Sequence, residues 1–168
     1  MVLNIIIIIS ISLKIFFDIK YHRLLNKGIN KNVKDINSYK IGVSIIICCK
    51  NEIQNLQENL KFIVNQNYDY FEIVIVDDGS IDKTDNYIKE NFPSVRIIKT
   101  YDYENKYPGK KNALSLGINA AKNEIILLTD ADCKPISKEW IKEMVKPFEK
   151  KEIEIVLGLR CSDTFSAK

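Results

Sequence analysis

Apolar and polar positions alternate along most of this chain in two distinct rhythms. Val43 to Cys49 is a continuous, β-branched run, the pattern of a strand covered on both faces. Ile53, Leu56, Leu60, Ile63 and Val64 then recur at helical spacing, with Asn51 placed to cap the helix start. Phe71 to Val76 predicts a second buried strand, and a helix is expected from about Asp82 to Glu90, closed off by Pro93. Val95 to Lys99 reads as a third strand. Lys110 to Ala121 reads as a helix with Leu114, Ile118 and Ala121 on one face. Glu124 to Leu128 predicts the fourth strand. Ser137 is placed to cap a helix reaching about Glu149, with Glu139 in its first turn, and Ile153 to Leu157 is a candidate fifth strand.

Strands alternating with helices of this length predict an α/β fold: a Rossmann-like, mostly parallel sheet with helices on both faces. Such sheets bind ligands beyond the carboxyl ends of their strands. Lys50-Asn51-Glu52, Asp77-Asp78-Gly79-Ser80 and Asp130-Ala131-Asp132 each follow a predicted strand, so all three clusters are expected along one rim.

The first residues differ in kind. Val2 to Phe17 is apolar except for Asn4, Ser10, Ser12 and Lys14, short for a bilayer span but extended by a lysine able to snorkel. No positive charge precedes the run and no small-residue cleavage site follows it, which argues against a signal peptide. Lys20, Arg23, Lys27, Lys31 and Lys34 follow it. The positive-inside rule then places the amino terminus outside and the rest of the chain in the cytoplasm, as a single-pass membrane protein. Residues 1–19 are thus expected to anchor the chain and 20–41 to link anchor to domain.

Composition narrows the function. Net charge is only +3, and lysines and acids are mixed throughout, which gives no footprint for a nucleic-acid partner. The four cysteines, Cys48, Cys49, Cys133 and Cys161, show no C-x-x-C pair and join no histidine cluster. They read as reduced thiols acting as small core residues.

The rim clusters carry the candidate chemistry. Asp130 and Asp132, two apart in an extended segment, would point the same way and repel unless a cation lies beside them. Mg²⁺ or Mn²⁺ commonly bridges such carboxylates to substrate phosphates, although a lone D-x-D is more often a solvated turn, here with Asp132 capping a later element. Asp78, facing the cleft, can accept a hydrogen bond from a nucleobase. Glu52 can do so from base or ribose, or serve simply as a favourable charge in a helix's first turn. Gly109-Lys110-Lys111-Asn112 opens a helix, where a lysine attracts a diphosphate. No G-x-G-x-x-G and no P-loop is present, which argues against a dinucleotide enzyme or a P-loop nucleotidase.

In order and spacing, VSIIICCKNE, FEIVIVDDGSIDKT, GKKNALSLGINAA and EIILLTDADCKP resemble the nucleotide-binding half of family 2 glycosyltransferases, over about Val43 to Pro147. The resemblance implies a GT-A fold over residues 42–160, with 161–168 as a tail, and a divalent metal, Mn²⁺ or Mg²⁺. It implies inverting transfer of a sugar from a nucleotide-diphosphate sugar, a UDP-sugar first among them, to the hydroxyl of a sugar or lipid acceptor, in cell-envelope polysaccharide or glycolipid synthesis. Carried over by residue, Glu52 and Asp78 would contact the nucleoside and Lys110 would lie near the nucleotide. Asp130 would contact ribose or metal, and Asp132 would be the principal metal ligand. Where the family usually has Pro-x-x-Asn-Glu, this chain has Cys48-Cys49-Lys50-Asn51-Glu52. The family's catalytic base, a carboxylate far downstream of the D-x-D, is expected beyond residue 168. A non-catalytic nucleotide-sugar-binding module is the alternative. A phosphoacceptor of the receiver or dehalogenase kind is disfavoured, because those place their acids earlier in the domain.

Overall fold

A computed structural model describes residues 11, 13–16, 41–103, 109–150 and 152–158. Contacts divide the chain into two units, 1–39 and 40–168. In the first, residues 11 and 13–16 are helical, and Ile11, Leu13, Ile15 and Phe16 are exposed. The remainder of the expected anchor, nearly all of the linker, and the tail lie outside the described residues. Among the described residues no helix is long and apolar enough to cross a membrane.

The second unit is built on four strands: β1 (Val43–Cys49), β2 (Phe71–Asp77), β3 (Arg96–Lys99) and β4 (Ile125–Asp130). They form one sheet in the order β3-β2-β1-β4, and every pairing is parallel. Val43 stands opposite Phe71 on one side and Ile125 on the other, so β1 is an inner strand, and all of it but Cys48 is buried. Its β-branched run is what that position requires. Between and after the strands lie α1 (Ile53–Val64), α2 (Thr84–Asn91), α3 (Lys110–Ala120) and α4 (Trp140–Val145), with 3₁₀ turns at Thr100–Asp102 and Lys146–Glu149.

Right-handed crossovers decide which face each helix covers. From β1 to β3 the chain steps in one direction across the sheet, and then it returns past β1 to lay down β4. α1 and α2 accordingly pack on one face, and α4, after the last strand, joins them there, so that Leu56, Leu60, Ile63, Ile88, Ile141 and Val145 meet Val43, Ile45, Ile47, Ile73 and Ile75. α3 packs on the opposite face, against Ile46, Val74, Val76 and Ile98.

Several expectations need correction. Residues 153–158 form no strand, and Ile155 and Leu157 are largely exposed. α4 starts at Trp140 rather than after Ser137, whose hydroxyl accepts the Glu139 N–H in a turn before the helix. Glu139 therefore stands at the cap position, and the segment tightens to 3₁₀ where Pro147 removes a helical donor. α3 presents Ala113 and Gly117 to the sheet, while Ile118 is exposed. Finally, β4 runs two residues further than expected and so includes Asp130.

Candidate active site

Strand order reverses between β1 and β4, the place where an open parallel sheet leaves a crevice at its carboxyl edge. A cavity of about 400 Å³ lies there. Its lining includes Glu52 from the β1–α1 loop, Asp78 from the end of β2, Lys110 from the first turn of α3, and Asp130 and Asp132 from the end of β4. The five residues singled out in the sequence thus share one cavity, together with Lys50, Cys48, Cys49, Ala113 and Ala131.

Each side chain is held by a different element. Asp78 Oδ1 accepts the hydroxyl of buried Thr100, in the turn that follows β3, at 3.0 Å, and Lys50 Nζ lies 4.0 Å from Asp78 Oδ2. Its neighbour Asp77 is buried and accepts the Ser80 N–H at 2.8 Å, closing the turn in which Gly79 takes a φ of 79°. The two adjacent aspartates therefore divide the work. Asp77 shapes the loop, and Asp78 faces the cavity.

Asn51 does not cap α1. It adopts a left-handed φ of 57° and bonds to the β2–α2 loop, while Asp82 accepts the Ile53 N–H in its place. α2 correspondingly begins at Thr84, two residues later than expected. Glu52 accepts a hydrogen bond from Asn55.

Asp130 and Asp132 are brought together by a turn, not by an extended segment. Asp130 ends β4 beside Cys48, and the Cys133 N–H donates to the Asp130 carbonyl at 3.1 Å. Between the two aspartates, Ala131 is buried, and its carbonyl accepts the Asn59 amide at 3.1 Å. Sequence reasoning missed Asn59. Its signal was a polar residue on the apolar stripe of α1, one position before Leu60.

Lys110 Nζ donates to Asp130 Oδ1 at 2.7 Å, and that bond raises the lysine's pKa above its ordinary value. Burial pushes the Cys48 thiol up, against the pull of Lys110, so it lines the cavity as a neutral group. Cys49 is a core residue whose thiol burial also raises. Cys133 departs from the core reading, because its Sγ lies 3.6 Å from Asp132 Oδ1.

Ligand atoms of Asp130, Asp132 and Cys133 all lie within 4.8 Å of one another. The two aspartates offer the hard oxygen donors that Mg²⁺ or Mn²⁺ takes, from exposed side chains able to adjust by rotation. Four carboxylates stand against two ammonium groups around the cavity, and the resulting negative rim favours a divalent cation. A bare diphosphate would be repelled by the same rim, so these residues fit a cation that arrives with, or before, an anionic ligand.

Comparison with known proteins bears on the whole domain. The description "Glycosyl transferase family 2" matches residues 44–164. Over 119 residues the chain is 33% identical to an uncharacterized glycosyltransferase of Haemophilus influenzae, covering 69% of this chain and 35% of that protein. It is 34% identical over 116 residues to a poly-beta-1,6-N-acetyl-D-glucosamine synthase of Staphylococcus epidermidis, covering 68% of this chain and 28% of the other. The chain spans about a third of the length of these relatives.

Among solved structures, the mannosyltransferase PcManGT from Pyrobaculum calidifontis, in complex with GDP-Man and Mn²⁺, superposes with a TM-score of 0.59 at 26% identity. That match covers 76% of this chain and 39% of that one. Staphylococcus aureus TarS in complex with UDP-GlcNAc shares the fold, with a TM-score of 0.52 at 23% identity over 65% of this chain and 32% of that one. Four motifs in order, a parallel sheet of GT-A type and a match over most of the chain agree: this chain belongs to glycosyl transferase family 2.

Proposed function

We propose that this chain is the nucleotide-sugar-binding part of an enzyme that moves a sugar from a nucleotide-diphosphate donor to an acceptor hydroxyl, with inversion at the anomeric carbon. Kinship with the S. epidermidis synthase supports cell-envelope polysaccharide or glycolipid as the product class, with a sugar or lipid as acceptor. The observation that carries the reading is the meeting of Glu52, Asp78, Lys110, Asp130 and Asp132 on one cavity at the sheet's switch point.

In this reading Glu52 and Asp78 accept hydrogen bonds from the nucleoside, and Thr100 keeps the Asp78 carboxylate turned toward it. Lys110, at the amino end of α3, draws the diphosphate to a helix terminus that already favours negative charge. Asp130 orients Lys110 and, with Asp132 as the principal ligand, would hold Mn²⁺ or Mg²⁺. Such an ion, when bound, offsets the charge that develops on a departing diphosphate. Solved relatives in complex with UDP-GlcNAc and with GDP-Man make both nucleotides worth testing, the uridine form first.

The test is calorimetric titration of the chain with UDP-GlcNAc and GDP-mannose, with and without Mn²⁺, against Asp132→Ala. Binding is expected to need the metal and to weaken at least about tenfold in the variant. Metal-dependent binding that survives the substitution unchanged would refute the assignment of Asp132.

A further inference from the structure

We infer that Asp82 is a positioning residue for the nucleoside side of the cavity, its one carboxylate fixing the loop of Glu52 against the loop of Asp78. The inference rests on the roles proposed above for those two acids.

Neither helix that flanks the loops brings its own cap. Glu52 and Lys83, at the cap positions of α1 and α2, make no side-chain capping bond. Asp82 serves both. Its Oδ2 accepts the N–H of Ile53, the first residue of α1, at 3.0 Å. Its Oδ1 accepts the N–H of Thr84, the first residue of α2, at 3.1 Å, and the Thr84 hydroxyl at 2.6 Å. Bonds to a charged acceptor are stronger than neutral ones, and a negative charge at a helix start is favourable. Burial alone would raise the Asp82 pKa, but these bonds hold it below the ordinary carboxylate value.

A second set of ties joins the same two loops. The Asn51 N–H donates to Ser80 Oγ at 2.9 Å, and Asn51 Oδ1 accepts the Ile81 N–H at 2.8 Å. The Asp78 N–H donates to the Cys49 carbonyl at 2.9 Å. Glu52 therefore lies between two residues, Asn51 and Ile53, that are each bonded to the neighbouring loop. Asn51 and Lys83 both take left-handed backbone; asparagine tolerates that region, whereas Lys83 is held there between Asp82 and Thr84, which are bonded to each other. Asp82 is not among the residues lining the cavity, so its effect on a ligand passes through Glu52 and Asp78.

Positioning predicts a split that general weakening of the fold does not. The experiment measures calorimetric affinity of the 168-residue chain, in Mn²⁺, for UDP, for GDP and for inorganic pyrophosphate, in wild type, Asp82→Asn and Asp82→Ala. For the better-bound nucleotide, Asp82→Ala is expected to lose about tenfold, the scale of one lost helix cap. Pyrophosphate affinity, which depends on Lys110, Asp130 and Asp132, should stay within about twofold. Asp82→Asn keeps one oxygen and should fall between the two.

If Asp82→Ala does not fold by circular dichroism, Asn51→Gly replaces it. Glycine accepts the left-handed backbone and removes only the Ile81 tie, and a loss of about threefold for nucleotide alone is expected. Equal nucleotide affinity in wild type and variant would overturn the inference, as would a parallel fall for nucleotide and pyrophosphate. Wild type that binds neither UDP nor GDP would remove the underlying reading, and the inference with it.

Discussion

Asn59 is the clearest case of one side chain linking the core to the site. It is buried on the face of α1 that also carries Leu56, Leu60 and Ile63, and its amide holds the carbonyl of Ala131, between the two aspartates of the D-x-D. A buried amide is costly unless bonded, and here the bond fixes the turn that sets Asp132 beside Asp130. Asn59→Ala leaves that carbonyl without this donor. We expect a loss of about 1–2 kcal/mol in urea unfolding and a Mn²⁺ affinity weaker by roughly three- to tenfold. Unchanged metal affinity would mean that the turn holds its shape unaided. The polar interruption of the α1 stripe was visible in the sequence. Its partner, 72 residues away, was not.

At the scale of elements, α3 decides how closely the cavity wall approaches the sheet. A Cβ on Gly117 would lie 2.5 Å from Ile46 Cγ2 and 3.0 Å from Val76 Cγ2, both on stiff β-branched side chains. The helix reaches the sheet along Ala113 and Gly117, and this approach sets Lys110, one turn earlier, over the end of β4. Gly117→Ala would gain up to about 1 kcal/mol of helix propensity, but the overpacking costs about 1–3 kcal/mol. A net loss of about 1 kcal/mol or more is expected, seen as a lower midpoint in thermal or urea melts. A midpoint at or above wild type would show that α3 moves outward freely. Helical periodicity, which weighs apolar size, placed Leu114, Ile118 and Ala121 on one face; Leu114 and Ala121 do pack against the core, while Ile118 is exposed. Close approach to a twisted sheet instead selected the smallest residues.

Across the whole molecule, the two ends of the sheet do different things. The carboxyl end carries the cavity, and the amino end carries a polar network around Glu72. That carboxylate accepts bonds from the Ser44 hydroxyl at 2.7 Å, the Lys122 N–H at 2.6 Å and Arg96 Nη1 at 2.6 Å, while Arg96 also donates to the Ala120 carbonyl at the end of α3. Burial alone would raise the Glu72 pKa, but these bonds together hold it below the ordinary carboxylate value. A depressed folded-state pKa means stability that is fully present above the unfolded value and lost as the pH falls through the folded one. Unfolding free energy should therefore decline below about pH 4.5. Glu72→Gln should cost about 2 kcal/mol at neutral pH and flatten that acid decline. Nucleotide affinity should not change, since the network lies at the far end of the strands. An equally steep acid decline in Glu72→Gln would assign the effect to other carboxylates.

The sequence by itself determined the alternation of strands and helices, the parallel sheet and the rim residues Glu52, Asp78, Lys110, Asp130 and Asp132. Those features follow from local periodicity and from the rule that loops after parallel strands share an edge. Tertiary structure alone decided which groups hold that rim in shape: Asp82 capping a helix that begins 29 residues earlier, Thr100 orienting Asp78, and Asn59 supporting the turn of Asp130 and Asp132. A hydrogen bond forms between atoms that are close in space, and no pattern along a chain records which distant loop supplies the partner.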